Sequence, residues 1–335
     1  MKDNNNNTQP LTDSFNRRID YLRISITDKC NLKCIYCKPV KGLKHFNDSD
    51  ILTNDEITRI VRVAFGHGLR KVRITGGEPL LRKDIFDLIS AIKKVGIPEL
   101  SLTTNGIKLS ECAQALKLAG LDRVNISLDT LDPVRYKFMT RGGDIKQVWK
   151  AIETSEKVGL TPVKINAVPI RGINDDEIES FASLSLRNNY HIRFIEFMPA
   201  SRNGIWSKDK CIPSTEILDR IAAVGPLEQF QFRGNGPSRN YRIKGAAGVI
   251  GVISPLSDHF CSFCNRLRLT ANGKIRPCLF SSEEIDIRTP VRSGAGDEII
   301  EELFLQAVRI KPRQHLLNQN ISASHHIDTM SKIGG

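Results

Sequence analysis

Cysteine is the residue type whose spacing in this chain most clearly indicates chemistry. Six of the eight cysteines fall into two groups of three, here called the first and second triads: Cys30, Cys34 and Cys37, and Cys261, Cys264 and Cys278. A closed zinc site or an ordinary iron-sulfur cluster takes four ligands. Three thiolates on a four-iron cluster would leave one iron open to an outside ligand, but each triad is also compatible with zinc and a distant fourth ligand.

Arginines accompany the second triad. Arg266 and Arg268 alternate along one predicted strand, and Arg276 returns after a predicted turn at Asn272 and Gly273. Arginines on an exposed hairpin are usually solvated. Beside a metal cluster, however, their guanidinium groups match phosphate oxygens and predict a polyphosphate site.

More basic residues occur inside predicted strands: Arg23, Lys71, Arg73, Lys164 and Arg193. Charged side chains that face the inside of a barrel need an anionic partner. We therefore expect a strongly anionic substrate. The phosphate-binding sequence GxxxxGK[ST] is absent, so an ordinary P-loop NTPase is not predicted.

Alternating strands and helices position these residues. Short apolar runs predict six strands, at 21–26, 71–75, 99–103, 123–128, 163–168 and 192–197. Each gap holds a predicted helix, the first of which begins with a capping box of Thr53 and Glu56. Strands with helical crossovers predict a parallel sheet curved into a barrel or part of one, with its chemistry at the C-terminal strand ends.

The strand-helix alternation covers only part of the chain, and the sequence predicts a further region on each side of it. Residues 1–16 are polar and rich in asparagine, which is typical of a disordered leader. Residues 17–200 hold the predicted barrel. Residues 201–335 predict a second layer with a helix near 214–224, strand-like pieces, a hairpin and a helix from 297 to about 309.

Composition limits the class of protein. The 49 basic and 37 acidic residues give a net charge of +12, which suits nucleic acid or a nucleotide polyphosphate as partner. No run approaches the roughly 18 apolar residues that a membrane helix requires. Without a signal peptide pattern the expected location is the cytoplasm, where cysteines serve metal or redox chemistry.

The first triad and the segment GGEPL at 76–80 together resemble the radical S-adenosylmethionine (SAM) enzymes. In that family the three-cysteine loop holds a [4Fe-4S] cluster whose open iron chelates the amino and carboxylate groups of SAM, and an electron from the cluster cleaves SAM to a 5′-deoxyadenosyl radical. The resemblance implies SAM contacts at Tyr36, Gly77, Ser127 and Met198. The paired glycines would let backbone approach the ligand closely.

Further segments narrow the resemblance to the GTP-cyclising radical SAM enzymes of molybdenum cofactor biosynthesis: VKIN, GINDDEI, IRFIEFMP, CNRLRLT and a terminal IGG. This implies an incomplete (β/α)6 TIM-type barrel closed by a C-terminal α+β extension, with a second [4Fe-4S] cluster at the second triad. The radical would take hydrogen from ribose C3′ and the sugar would then attack guanine C8. The implied GTP contacts are Arg23, Arg73, Thr103, Lys164, Arg266, Leu267 and Arg268. The terminal Gly334 and Gly335 would enter the barrel beside the substrate.

The same resemblance implies partners. An electron donor such as flavodoxin or ferredoxin would reduce the enzyme, and the product would pass to cyclic pyranopterin monophosphate synthase. Neither nucleic acid nor a membrane is expected, and a homodimer is allowed.

Two other functions remain open from the sequence. A different two-cluster radical SAM enzyme, such as a peptide-modifying maturase, would carry a further cysteine group and no concentrated arginines. A basic metal-binding module for nucleic acid would interleave aromatic residues with its basic ones, which this chain does not.

Overall fold

The computed structural model describes residues 9–37, 44–199, 205–231, 236–315, 317 and 330–333. The strands are β1 (Tyr21–Ser25), β2 (Lys71–Thr75), β3 (Glu99–Thr104), β4 (Arg123–Ser127), β5 (Lys164–Ala167), β6 (His191–Ile195), β7 (Leu227–Gln229), β8 (Arg239–Ile243), β9 (Val249–Ile253), β10 (Arg266–Leu269), β11 (Lys274–Arg276) and β12 (Ile285–Asp286). The α-helices are α1 (Asn54–Gly66), α2 (Ile85–Lys94), α3 (Leu109–Leu118), α4 (Pro133–Thr140), α5 (Ile145–Lys157), α6 (Ile178–Arg187), α7 (Ser214–Ala222), α8 (Arg288–Arg292), α9 (Asp297–Arg309) and α10 (Met330–Ile333).

All twelve strands of the described residues belong to one sheet, in the order β12-β11-β10-β1-β2-β3-β4-β5-β6-β9-β8-β7. The six predicted strands are confirmed as its parallel centre. The strand-like pieces predicted for the second layer join this same sheet, in which β9 pairs in parallel with β6 and β10 pairs in parallel with β1. These strands cover the two edges of the six-stranded sheet, whose backbone groups would otherwise be unpaired.

The first crossover shows how local sequence begins a helix. Thr53 Oγ1 accepts a hydrogen bond from Glu56 N at 3.2 Å, and the Glu56 side chain accepts one from Thr53 N at 2.8 Å. This is the predicted capping box, and such a cap contributes about 1 kcal/mol. Ile57, Ile60 and Val61 then bury one face of α1 against the sheet.

Two parts of the fold differ from expectation. Helix α4 was not predicted, because two of its large apolar residues, Val134 and Phe138, are exposed and give no clear amphipathic pattern. The disordered leader is wrong for residues 9–16: Leu11 is buried, its N donates to His67 O, and its O accepts from Ile19 N. The rest of the predicted leader, residues 1–8, lies outside the described residues.

The two faces of the sheet have different roles. Leu22 and Ile24 of β1 and Leu267 of β10 point into the apolar core beneath the helices. The alternating residues Arg23 and Arg268 point to the opposite, concave face, where they line a cavity. The parallel register places Arg268, Arg23 and Arg73 side by side on β10, β1 and β2.

Among the described residues, none of the helices has the length and apolar character needed to span a bilayer.

Candidate functional site

Both cysteine triads line a single cavity of about 320 Å³ on the concave face of the sheet. The cavity also brings together most of the residues that the sequence singled out: Arg23, Tyr36, Arg73, Gly77, Thr103, Ser127, Met198, Arg266 and Arg268. Residues from strands at the centre and at both sides of the sheet therefore face one space. A cavity of this size accommodates small molecules.

The segment after β2 holds the loop of the first triad. Gly77 N donates to Thr27 O at 2.6 Å and Glu78 N donates to Lys29 O at 2.7 Å. A Cβ atom at Gly77 would lie 2.2 Å from Lys29 O, closer than any real contact. The glycine thus allows the backbone to pack against the cysteine loop, which is a different reason from the expected close approach to a ligand.

The end of α4 holds the other side of the same loop. Lys33 N donates to Thr140 O at 3.2 Å, and Ile35 N donates to Met139 O at 2.9 Å. Cys34 lies between these two contacts, and burial raises the pKa of its thiol well above the usual range. The first triad is therefore clamped between the segment after β2 and α4.

Two buried carboxyl groups lie at this end of the cavity. Glu78 accepts hydrogen bonds from Thr104 Oγ1 at 2.7 Å and from Asn105 N at 2.8 Å. Asp129 accepts a hydrogen bond from Tyr36 OH at 2.5 Å. Burial raises the pKa of Glu78 to about 7 and that of Asp129 to about 6. Carboxylates here suit a ligand with an ammonium group.

The surroundings of the second triad are cationic. Lys311 Nζ donates to Arg266 O at 2.8 Å and to Pro277 O at 2.7 Å, and it lies 3.7 Å from Cys264 Sγ. Burial alone would raise the pKa of Cys264, but the positive charges of Arg266 and Lys311 outweigh it and lower that pKa to about 6. This thiol therefore favours the thiolate that ligates metal.

A second buried cation ties the loop of the second triad to its neighbours. Arg17 Nη1 donates to Cys261 O at 2.6 Å, while Arg17 Nη2 donates to Pro312 O at 2.7 Å. Its Nε pairs with Asp13 at 2.5 Å. The N-terminal segment and residues 311–313 thus meet at the second triad.

The sequence analysis assigned no role to Glu78, Asp129, Arg17 or Lys311. Glu78 lies within the GGEPL segment, which was a signal for it, and Asp129 closely follows the C-terminal end of β4. Arg17 and Lys311 are single basic residues without a repeated spacing.

The same cavity is lined by Arg23, Arg73, Arg193, Arg266 and Arg268, here called the arginine floor. Burial, followed by repulsion from Arg266, lowers the pKa of Arg268 to about 10. Burial and repulsion from Arg73 lower the pKa of Arg193 to about 9. Within the described residues, the buried atoms Arg193 Nε and Thr103 Oγ1 have no hydrogen-bond partner. Buried like charges and unpaired donors together fit an anionic ligand.

Two predicted nucleotide contacts do not line this cavity. The Leu267 side chain packs into the apolar core on the far face of β10. Lys164 is buried beside the cavity, where burial and repulsion from Arg193 lower its pKa to about 5. Alternation along a strand explains the first departure, because neighbouring residues point to opposite faces.

The remaining cysteines and the chain end complete the predicted set. Outside the two triads, Cys112 packs against the main core and Cys211 is half-buried. Gly334 and Gly335 lie outside the described residues. Just before them, Met330 lines the cavity and Ile333 is buried.

Comparison with known protein families and proteins gives consistent matches. The model of the Radical SAM superfamily matches residues 24–184, and that of Molybdenum Cofactor Synthesis C matches residues 190–317. The GTP 3′,8-cyclase of Moorella thermoacetica is 48% identical over 327 residues, covering 97% of this chain and 100% of that protein. The GTP 3′,8-cyclase of Pelotomaculum thermopropionicum is 44% identical over 328 residues, with the same coverage.

Solved structures support the fold alone. SuiB of Streptococcus suis bound to the precursor peptide SuiA matches with a TM-score of 0.62 and 17% identity, over 91% of this chain and 66% of that one. SuiB bound to S-adenosylmethionine matches with a TM-score of 0.57 and 18% identity, over 83% of this chain and 63% of that one. The chain thus spans about two thirds of SuiB.

Proposed function

The chain belongs to the family of GTP 3′,8-cyclases, and we propose that its cavity holds SAM at the first triad and GTP at the second. It is a radical SAM lyase of molybdenum cofactor biosynthesis that converts GTP to (8S)-3′,8-cyclo-7,8-dihydro-GTP. Full-length identity of 48% to a cyclase does not favour a peptide-modifying maturase or a nucleic-acid module. The observation that carries the proposal is that both triads face one cavity.

The donor sets fit two [4Fe-4S] clusters. Cys30, Cys34 and Cys37 supply three thiolates to one cluster, and the second triad supplies three to the other, so each keeps one iron for an external ligand. When bound, the first cluster supplies the electron for reductive cleavage of SAM. The segment after β2 and the end of α4 fix the first loop on both sides.

The first triad's end of the cavity suits SAM. The proposed SAM contacts Tyr36, Gly77, Ser127 and Met198 line the same cavity as the first triad. Glu78 adds a carboxyl group that its three hydrogen bonds hold in place. As a carboxylate it can accept a hydrogen bond from the amino group of SAM and attract the positively charged ligand, and its burial strengthens that attraction.

The arginine floor suits the triphosphate of GTP. Arg23, Arg73 and Arg268 stand in one row across three strands, and Arg266 lies beside the second triad. Guanidinium forks bind phosphate oxygens in pairs. Within the described residues the buried Thr103 hydroxyl has no hydrogen-bond partner. An anion bound in the cavity would raise the lowered pKa of Lys164 and so favour its charged form, whereas Leu267 can contribute only its backbone.

The C-terminal Gly334 and Gly335 are proposed to reach this substrate. Support comes from Met330 and Ile333, which bring the end of the chain to the cavity. Deleting the two glycines should abolish GTP cyclisation and leave iron content and SAM binding intact. A peptide ending in Ile-Gly-Gly should restore part of the activity. Full cyclase activity in the truncated enzyme would contradict this role.

Cellular context completes the proposal. A cytoplasmic enzyme of this kind takes its electrons from a carrier such as flavodoxin or ferredoxin and hands its product to cyclic pyranopterin monophosphate synthase. Residues 17–200 carry the SAM half of the site and residues 201–335 carry the second triad. Both halves contribute strands to one sheet, so each depends on the other.

An anaerobic assay with dithionite, SAM and GTP tests the function. We expect 5′-deoxyadenosine and the cyclised nucleotide to accumulate together, and omission of GTP to prevent cyclisation. Cleavage of SAM without any nucleotide product, in protein that carries both clusters, would contradict the proposed reaction.

A further inference from the structure

A surface depression lies directly behind the loop of the first triad. Its lining within the described residues combines apolar and basic side chains: Ile35, Arg135, Phe138, Arg141, Gly172, Ile173, Ile205 and Lys210. Ile35 lines this depression, while its neighbours Cys34 and Tyr36 line the cavity. One residue therefore separates the outer surface from a ligand of the first cluster.

Helix α4 forms the edge of this depression and is unusually apolar on its outside. Val134 is 79% exposed and Phe138 is 63% exposed. The same helix is bonded to the cysteine loop through the carbonyls of Met139 and Thr140. Exposed apolar residues gathered at one place on a surface mark an interaction site.

The rim of the depression is basic. Arg135 is paired with Asp176 and Glu177, but Arg141 and Lys210 also line the depression, and Lys137 is exposed beside Phe138. In the described residues no carboxylate lines it. The whole chain carries a net charge of +12, so long-range attraction favours an acidic partner.

From these contacts we propose that the depression and the outer face of α4 are the docking surface for an acidic one-electron carrier protein. The proposal rests on the proposed function, which requires an electron at the first cluster. In the docked complex the reduced carrier loses one electron and the cluster held by Cys30, Cys34 and Cys37 gains it, with no bond made or broken. A small contact of this type suits a transient redox encounter.

The test uses the full enzyme with both clusters, driven either by purified flavodoxin hydroquinone or by dithionite. The variant Lys137→Glu with Phe138→Asp removes the apolar contact and reverses one charge. The matched control is Lys94→Glu with Leu118→Asp. It also changes one exposed lysine and one exposed apolar residue, but α2 and α3 end just before β3 and β4 begin, whereas α4 follows the C-terminal end of β4.

We expect the KM for flavodoxin in SAM cleavage to rise roughly tenfold in the α4 variant and to stay unchanged in the control. The dithionite-driven rate should be equal in all three proteins. In the parent the KM should rise with ionic strength, and the variant should respond less. If dithionite-driven activity falls in the α4 variant, the milder Lys137→Gln with Phe138→Ser replaces it.

Several results would overturn the docking surface. One is an unchanged KM in the α4 variants, and another is an equal rise in the control. A third is a changed oligomeric state in sedimentation without a change in flavodoxin KM, which would assign the face to a second copy of this chain. Loss of dithionite-driven cyclisation in the parent would instead contradict the proposed function, so the two failures are distinguishable.

Discussion

The two cysteine triads have the same three ligands and face the same cavity, yet their surroundings carry opposite charge. Buried carboxyl groups of Glu78 and Asp129 accompany the first triad, whereas Lys311 and Arg266 accompany the second. Burial raises the pKa of Cys34 well above its usual range, but nearby cations lower that of Cys264 to about 6. We therefore expect the residues around each triad, and not the cysteines themselves, to select a ligand with an amino group at the first triad and a polyanion at the second.

Replacing the cysteines of each triad in turn should separate SAM cleavage from GTP cyclisation. The intact enzyme should bind about eight irons, and alanine at Cys30, Cys34 and Cys37 should halve that number and abolish SAM cleavage. Alanine at all three cysteines of the second triad should also halve the iron but leave some uncoupled cleavage without cyclisation. Iron analysis and chromatography of 5′-deoxyadenosine give the answer. Loss of all iron in either variant would indicate one shared site.

Conservative substitutions of the arginines beside the second triad should weaken the binding of GTP but not that of SAM. Arg266→Lys or Arg268→Lys removes paired hydrogen bonds to phosphate, each worth roughly 1.5 to 3 kcal/mol. We expect GTP affinity to fall about ten- to a hundredfold while SAM affinity stays the same, as measured by calorimetry. The exposed Arg309→Lys is the control. Unchanged GTP binding in both variants would remove these arginines from the nucleotide site.

Lys311 should stabilise the second triad alone. Lys311→Met leaves the carbonyls of Arg266 and Pro277 without this donor, at a cost of about 1 to 3 kcal/mol. The variant should unfold at a lower temperature and lose iron from the second cluster faster when exposed to a chelator. Lys94→Met, on the exposed face of α2, should do neither. Equal iron loss from both clusters would refute a local role for Lys311.

Lowering the pH should neutralise the carboxylates near the first triad but leave the arginine floor charged. The pKa values of Glu78 and Asp129 are about 7 and about 6, so lowering the pH from 8 to 6 protonates both groups progressively. Their attraction for the positive charge and the amino N–H groups of SAM weakens as they become neutral, and SAM affinity should fall roughly three- to tenfold. The pKa values of Arg268 and Arg193, about 10 and about 9, keep these residues charged across that range. Calorimetric titration of SAM that shows no loss, or a gain, at low pH would exclude the carboxylates.

Local patterns explain what the sequence could predict. Apolar runs and the Thr53 cap predicted the central strands and α1, because both depend on neighbouring residues. Pairing of β9 with β6 joins residues about sixty positions apart and leaves no local signal. Helix α4 was missed because its exposed Phe138 serves no core. Residues 9–16, whose composition is typical of disorder, contain the buried Leu11 and Asp13, and Leu11 N donates to the distant His67 O.

The site divides in the same way. Cysteine spacing predicted that both triads bind metal, and alternating arginines predicted the arginine floor. The roles of Asp129 and Lys311 can be recognised only when the fold brings strand ends and the C-terminal segment together. Leu267 was assigned as part of a run, although strand geometry turns it away from its two neighbours.

The most direct test of two triads acting on one substrate is transfer of label across the cavity. GTP carrying deuterium at ribose C3′ is incubated anaerobically with SAM and the reduced enzyme, and the 5′-deoxyadenosine is analysed by mass spectrometry. We predict one deuterium in 5′-deoxyadenosine for each cyclised nucleotide formed. Cyclised product accompanied by unlabelled 5′-deoxyadenosine would contradict the arrangement of SAM and GTP in a single cavity.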